Sequence, residues 1–130
     1  MPTNETEMDE QALPDLRSSG GRPRVFIVHG HDEVLLQQAA RLVQALGLRP
    51  VILHEQAGGG MPLIEKLKKH SDVEFAIVLL TADDEGRSRL STDPHQPRAR
   101  QNVIFELGFF IGLPAIKTVL ALRSEGVEVP

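Results

Sequence analysis

Six consecutive apolar residues, Phe75-Ala76-Ile77-Val78-Leu79-Leu80, run without a polar interruption. A strand with one solvated face alternates apolar and polar side chains, whereas a short run that is apolar throughout reads as a strand buried on both faces. Both faces of a strand are covered when helices pack above and below it, which is the arrangement of a parallel sheet. The run therefore places the centre of an α/β sheet at residues 75–80. Shorter β-branched and aromatic runs at 24–28, 49–53 and 117–122 supply three further strands, and helical segments separate them.

The first helical segment follows Asp32, a capping residue, and presents Leu35, Leu36, Ala39, Ala40, Leu42, Val43 and Leu46 as a broad apolar face before Gly47 stops it. A short second helix begins after Pro62, with Leu63, Ile64 and Leu67 as its apolar stripe and Lys66, Lys68, Lys69 and His70 at its C-terminal end. The third is different. From Val103 to Leu113 every residue is apolar or glycine except Glu106, which predicts a helix buried nearly all round with one carboxylate inside it. Burying even an uncharged polar group without a partner costs about 2–7 kcal/mol. Glu106 is thus either chemically employed at a cleft or paired with a cation such as Arg100. Asn102 lies one turn earlier on the same face. Between the central strand and this helix, residues 81–100 show no periodicity and are expected to form a long functional or mobile loop.

Composition removes several function classes. With 130 residues, 41% of them hydrophobic, the chain suits one domain with a real core, which we place at 24–130 behind a polar, acidic, flexible leader at 1–23. It contains no cysteine, and hence no disulfide framework, thiolate nucleophile or cysteine metal site. A net charge of -4 without Trp or Tyr argues against a nucleic-acid platform. No apolar run reaches the ~20 residues that span a bilayer and no secretory signal is evident, so a cytoplasmic protein without membrane contact is expected. His29 and His31 lack a third fixed ligand, so no metal is expected either.

In an open parallel sheet, ligands bind beyond the carboxyl ends of the strands. That edge receives His29, Gly30, His31 and Asp32 after the first strand, residues 55–61 after the second, and Asp83 and Asp84 after the third. Neither the Gly-x-Gly-x-x-Gly dinucleotide fingerprint nor a P-loop is present. The run Gly58-Gly59-Gly60, between Glu55 and Met61, can offer backbone N–H groups to a phosphate or serve as a hinge. Asp83 and Asp84 can accept hydrogen bonds from ribose hydroxyls or form an ordinary Asx turn. Arg98 and Arg100 can reach a pyrophosphate or neutralise Glu106.

Four blocks taken together resemble the bacterial TIR-like family of predicted nucleotide-binding proteins, effector domains of antiphage signalling. They are FIVHGHD at 26–32, EQAGGG at 55–60, VLLTADDEG at 78–86 and RARQNVIFELGFFIG at 98–112. The resemblance covers residues 24–130. It implies a flavodoxin-like, TIR-type open parallel sheet with helices on both faces. It also implies NAD+ glycohydrolase activity with NAD+ as substrate and no cofactor, Glu106 as the catalytic carboxylate, and activation by homo-oligomeric assembly through the loop at 55–61. Substrate contacts are expected from His29, Gly30, His31, Asp32, Asp83, Asp84, Arg100 and Asn102. The chain departs from the family in two respects. Asn102 stands where many TIR enzymes have Trp, and the sequence stops soon after the fourth strand, so the expectation is a sheet short of the family's last strand and closing helix, with a partner chain or sensor domain beyond it. Two other readings fit the same residues: a non-catalytic nucleotide-binding or assembly module, and an enzyme of nucleoside ribosyl transfer.

Overall fold

The computed structural model describes residues 21–53 and 62–130. Four parallel strands form the main sheet: β1 (Arg24–Val28), β2 (Arg49–Ile52), β3 (Phe75–Leu80) and β6 (Thr118–Arg123), in the order β2-β1-β3-β6. This is the TIR-type, flavodoxin-like α/β fold. The run that is apolar throughout is the strand it was expected to be, with β1 on one side and β6 on the other.

Period-two alternation divides the core into two layers. Val25 and Ile27 of β1, with Leu79 of β3, face helix α1 (Glu33–Ala45) and pack against Leu36, Ala39, Ala40 and Val43. Phe26 and Val28, with Ala76, Val78 and Leu80, face the opposite way. There they meet Leu67 of α2 (Leu63–Lys69) and Val103 and Phe110 of α3 (Gln101–Ile111). Phe110 is fully buried, its ring centroid 4.7 Å from that of Phe26 and 5.3 Å from that of Phe109, the latter edge to face. Such contacts add about 0.5–1.5 kcal/mol to the area each ring removes from water.

The ends of α1 follow from sequence. Asp32 accepts a hydrogen bond from the Leu35 N–H at 2.9 Å, so its side chain satisfies one of the helix's free donors. At the other end Gly47 adopts φ +78°, and the N–H groups of Gly47 and Leu48 donate back to the carbonyls of Gln44 and Val43. That pair of bonds is a Schellman stop, and it uses a left-handed conformation that glycine adopts without steric cost.

Two expectations are corrected. Residues 81–100 are not structureless: β4 (Asp84–Gly86) and β5 (Gln96–Arg98) pair antiparallel, Asp84 opposite Arg98. Three-residue strands, one with a proline and both rich in polar groups, carry no alternation that a sequence reading can detect. The hairpin is tied to the end of the chain by the Arg98–Glu128 ion pair at 2.9 Å and by the Glu128 N–H donating to the Pro97 carbonyl.

Nor is α3 buried all round among the described residues. Only Val103 and Phe110 are fully enclosed, while Phe105 is 49% and Ile111 66% exposed. The helix covers β1 and β3 with one face, and no described element covers the other. β6 shows the same asymmetry. Val119 packs into the layer beneath α3, whereas Leu120 and Leu122, in register with Ile77 and Leu79, are about half exposed because α1 lies over β1 and β2 and does not reach them.

Candidate active site

From β1 the chain moves outward to β2 and then returns across β1 to β3, so the direction of winding reverses between β1 and β3. Connections leaving the carboxyl ends of those two strands diverge, one to α1 on the first face and one to the hairpin and α3 on the second. A crevice opens between them, as at the switch point of any doubly wound sheet.

Two recesses occupy this crevice and share His31. One, of about 250 Å3, is lined by His31, Asp84, Arg100, Gln101 and Asn102. The other, of about 320 Å3, is lined by His31, Asp32, Thr81, Ala82, Asp83 and Ser124. Each stands near the lower end of the about 300–1,000 Å3 range of small-molecule sites; the first is walled mainly by polar groups, the second by polar and apolar groups alike. The structure thus brings together His31, Asp32, Asp83, Asp84, Arg100 and Asn102 of the sequence-derived set. Glu55, Gly58, Gly59, Gly60 and Met61 lie outside the described residues.

Asp83 is the hub of this crevice. Its Oδ1 accepts from the His31 backbone N–H at 3.0 Å and from the Thr81 hydroxyl at 2.8 Å, and its Oδ2 accepts from the Arg100 N–H at 3.4 Å. Gly30 is buried directly against the carboxylate, and a Cβ at that position would overlap both oxygens. Glycine is therefore required at 30 for close approach. His29 stands behind the crevice, half-buried, and lines neither recess. Its Nδ1 is 2.9 Å from the Gly30 carbonyl, which can only accept, so Nδ1 carries the proton.

Glu106 is half-buried on α3, one turn beyond Asn102. Helical Cα–Cβ bonds tilt toward the helix N-terminus, and the N-terminal residues Arg100, Gln101 and Asn102 are those lining the first recess. Glu106 itself is not among the residues that line either recess. Arg98, weighed above as an anion ligand, is engaged by Glu128 instead.

Residues 24–130 match the family of CAP12/Pycsar effector protein TIR domains. The chain belongs to that family. The TIR domain is 47% identical over 108 residues to the uncharacterized protein YuaY of Escherichia coli K12, a match covering 82% of this chain and 36% of that protein. It is 33% identical over 119 residues to protein tirC of Dictyostelium discoideum, covering 84% of this chain and 59% of that one. The chain thus spans about a third of the length of one relative and under two thirds of the other. No solved structure matches significantly.

Among the described residues no group of three or more His, Cys, Asp or Glu side chains is placed to hold a metal ion, and no helix is long and apolar enough to cross a membrane. Four lining residues of this TIR domain, Thr81, Ala82, Gln101 and Ser124, are not among the candidate ligands named from the sequence. Ser124 follows β6, which is parallel to the others and so delivers its carboxyl end to the same edge; that rule was available and points to it. Gln101 opens α3 beside Arg100, and its exposure gave no apolar signal to read.

Proposed function

We propose that this TIR domain is an NAD+ glycohydrolase that cleaves the nicotinamide–ribose bond, switched on by self-assembly and serving antiphage signalling. The observation that carries the reading is Glu106: one carboxylate in a segment otherwise apolar or glycine from Val103 to Leu113, one turn along the same helix from Asn102, which lines the first recess.

The chemistry suits a single carboxylate. When the C–N bond breaks, its electron pair goes to the pyridinium nitrogen and nicotinamide leaves as a neutral molecule, so no general acid is needed, unlike the paired carboxylates of ordinary glycosidases. The ribosyl carbon becomes an oxocarbenium-like cation. Water adds to it and loses a proton, giving ADP-ribose, or an internal nucleophile adds and gives a cyclic form. An anionic Glu106 set against the ribose stabilises that cation, and a preorganised group of this kind is worth about 2.7–4 kcal/mol of barrier. His31, Asp84, Arg100 and Asn102 supply donors and acceptors for the polar body of a dinucleotide.

Support for assembly comes from β6, which pairs with β3 on one side and with no other strand among the described residues, and which exposes Leu120 and Leu122. An edge of this kind invites a further strand or a second chain. Incubation with NAD+ tests the whole reading through nicotinamide release at high and low protein concentration. Release is expected, with specific activity rising with concentration. Specific activity unchanged on about hundredfold dilution would remove the assembly step, and no release at any concentration would leave a nucleotide-binding or assembly module.

A further inference from the structure

We propose that Asp83 is a positioning residue: its carboxylate fixes three of the segments that form the crevice, and it acts on substrate through them. The bonds it makes reach three of the segments that line the crevice. Oδ1 holds the His31 N–H from the β1–α1 turn and the Thr81 hydroxyl at the end of β3, and Oδ2 holds the Arg100 N–H at the start of α3. These donors are 52, 2 and 17 positions away in sequence. Among the described residues no backbone hydrogen bond joins the β1–α1 turn to the α3 N-terminus directly, so the carboxylate is their common support.

Two further features suit this role. Thr81 is 4% exposed, so its hydroxyl needs an internal acceptor, and Asp83 provides it. Gly30 lies flat against the carboxylate, so the β1–α1 turn is held by contact as well as by hydrogen bonding. Both oxygens of Asp83 are already engaged by these segments, even though the residue also lines the second recess. Held in place with them are Asp32 on one side and Gln101 and Asn102 on the other, which line the recesses together with His31 and Arg100 themselves.

The consequence for catalysis rests on the NAD+ reading; the tie itself does not, and the experiment separates them. The first measurement is amide hydrogen exchange by NMR on the free protein, in the Asp83→Asn, Asp83→Ala and Gly30→Ala variants. Hydrogen bonds to a charged acceptor protect their donors, so exchange at His31 and Arg100 should quicken about tenfold or more in Asp83→Ala. Asp83→Asn keeps one carbonyl oxygen for Oδ1 and turns an NH2 group toward Arg100, so Arg100 should be released and His31 largely retained. Gly30→Ala should release both by displacing the side chain, and the amide of Leu35, capped by Asp32, serves as the unaffected control in all three. If Asp83→Ala does not fold, the isosteric Asn and the Gly30 variant carry the measurement. Unchanged exchange at His31 and Arg100 overturns the proposal whether or not the protein turns over NAD+.

The second measurement is the loss of kcat/KM caused by Asp83→Asn on NAD+ and on analogues lacking the nicotinamide-ribose 2′- or 3′-hydroxyl. A positioning residue gives the same fold-loss on all three. A loss that disappears with one deoxy analogue overturns the proposal and makes Asp83 a ribose ligand. Absence of turnover in the unmodified protein counts against the NAD+ reading alone, because the exchange measurement still decides the tie.

Discussion

Helices α1 and α3 pack on opposite faces of the same sheet, and the less apolar of the two is the better anchored. α1 carries its own boundaries: the Asp32 cap at one end, the Gly47 stop at the other, and a stripe of four buried residues between them. α3 has no side-chain cap, ends at Gly112 in a right-handed conformation, and encloses only Val103 and Phe110 despite its far more apolar sequence. Its entry is set from outside, by Asp83 receiving the Arg100 N–H. Local signals thus suffice to place α1, whereas α3 takes its position from packing on the sheet and from the bond at its first turn. Elements that assemble a site are commonly drawn from the less self-sufficient part of a fold.

The contrast can be broken most forcefully at Phe110. If two buried residues anchor α3, Phe110→Ala should cost about 3–5 kcal/mol in urea unfolding; a loss under about 1 kcal/mol would mean that the helix is held elsewhere. At α1 the expected costs are smaller. Gly47→Ala forces a Cβ into a left-handed backbone and should cost about 1–2 kcal/mol, and Asp32→Ala removes the cap for about 1 kcal/mol. Neither loss should appear if α1 is held by packing alone. The smallest effect belongs to the open face of α3, where Phe105→Ala should change stability by less than about 0.5 kcal/mol in this chain at low concentration. A larger loss there, growing with concentration, would show that the exposed ring is covered by a second molecule.

What was legible in the sequence follows the same division. β1 and β3, with the apolar face and both caps of α1, are set by nearest-neighbour chemistry, and the expected positions 24–28 and 75–80 coincide with the observed strands. The last strand falls one residue later than its apolar pattern suggested, at Thr118–Arg123. The burial of α3 was misjudged because an apolar segment declares that it avoids water without saying which element covers it. The tie at Asp83 was invisible, since its donors come from three segments and its meaning lies in their convergence. Aspartate after a strand reads equally well as a turn residue or a sugar ligand, and only the positions of His31, Thr81 and Arg100 show where its oxygens go.

The central claim is that Glu106 acts through its charge. Glu106→Gln keeps the size and nearly the shape of the side chain while removing the anion, and it can be assayed for nicotinamide release beside a melting curve. Electrostatic stabilisation of the ribosyl cation predicts a fall in kcat of about 10²-fold or more, some 2.7 kcal/mol of barrier, with stability altered by less than about 1 kcal/mol. A Gln variant that cleaves NAD+ at the unmodified rate and melts clearly lower would make Glu106 a structural residue and contradict the account.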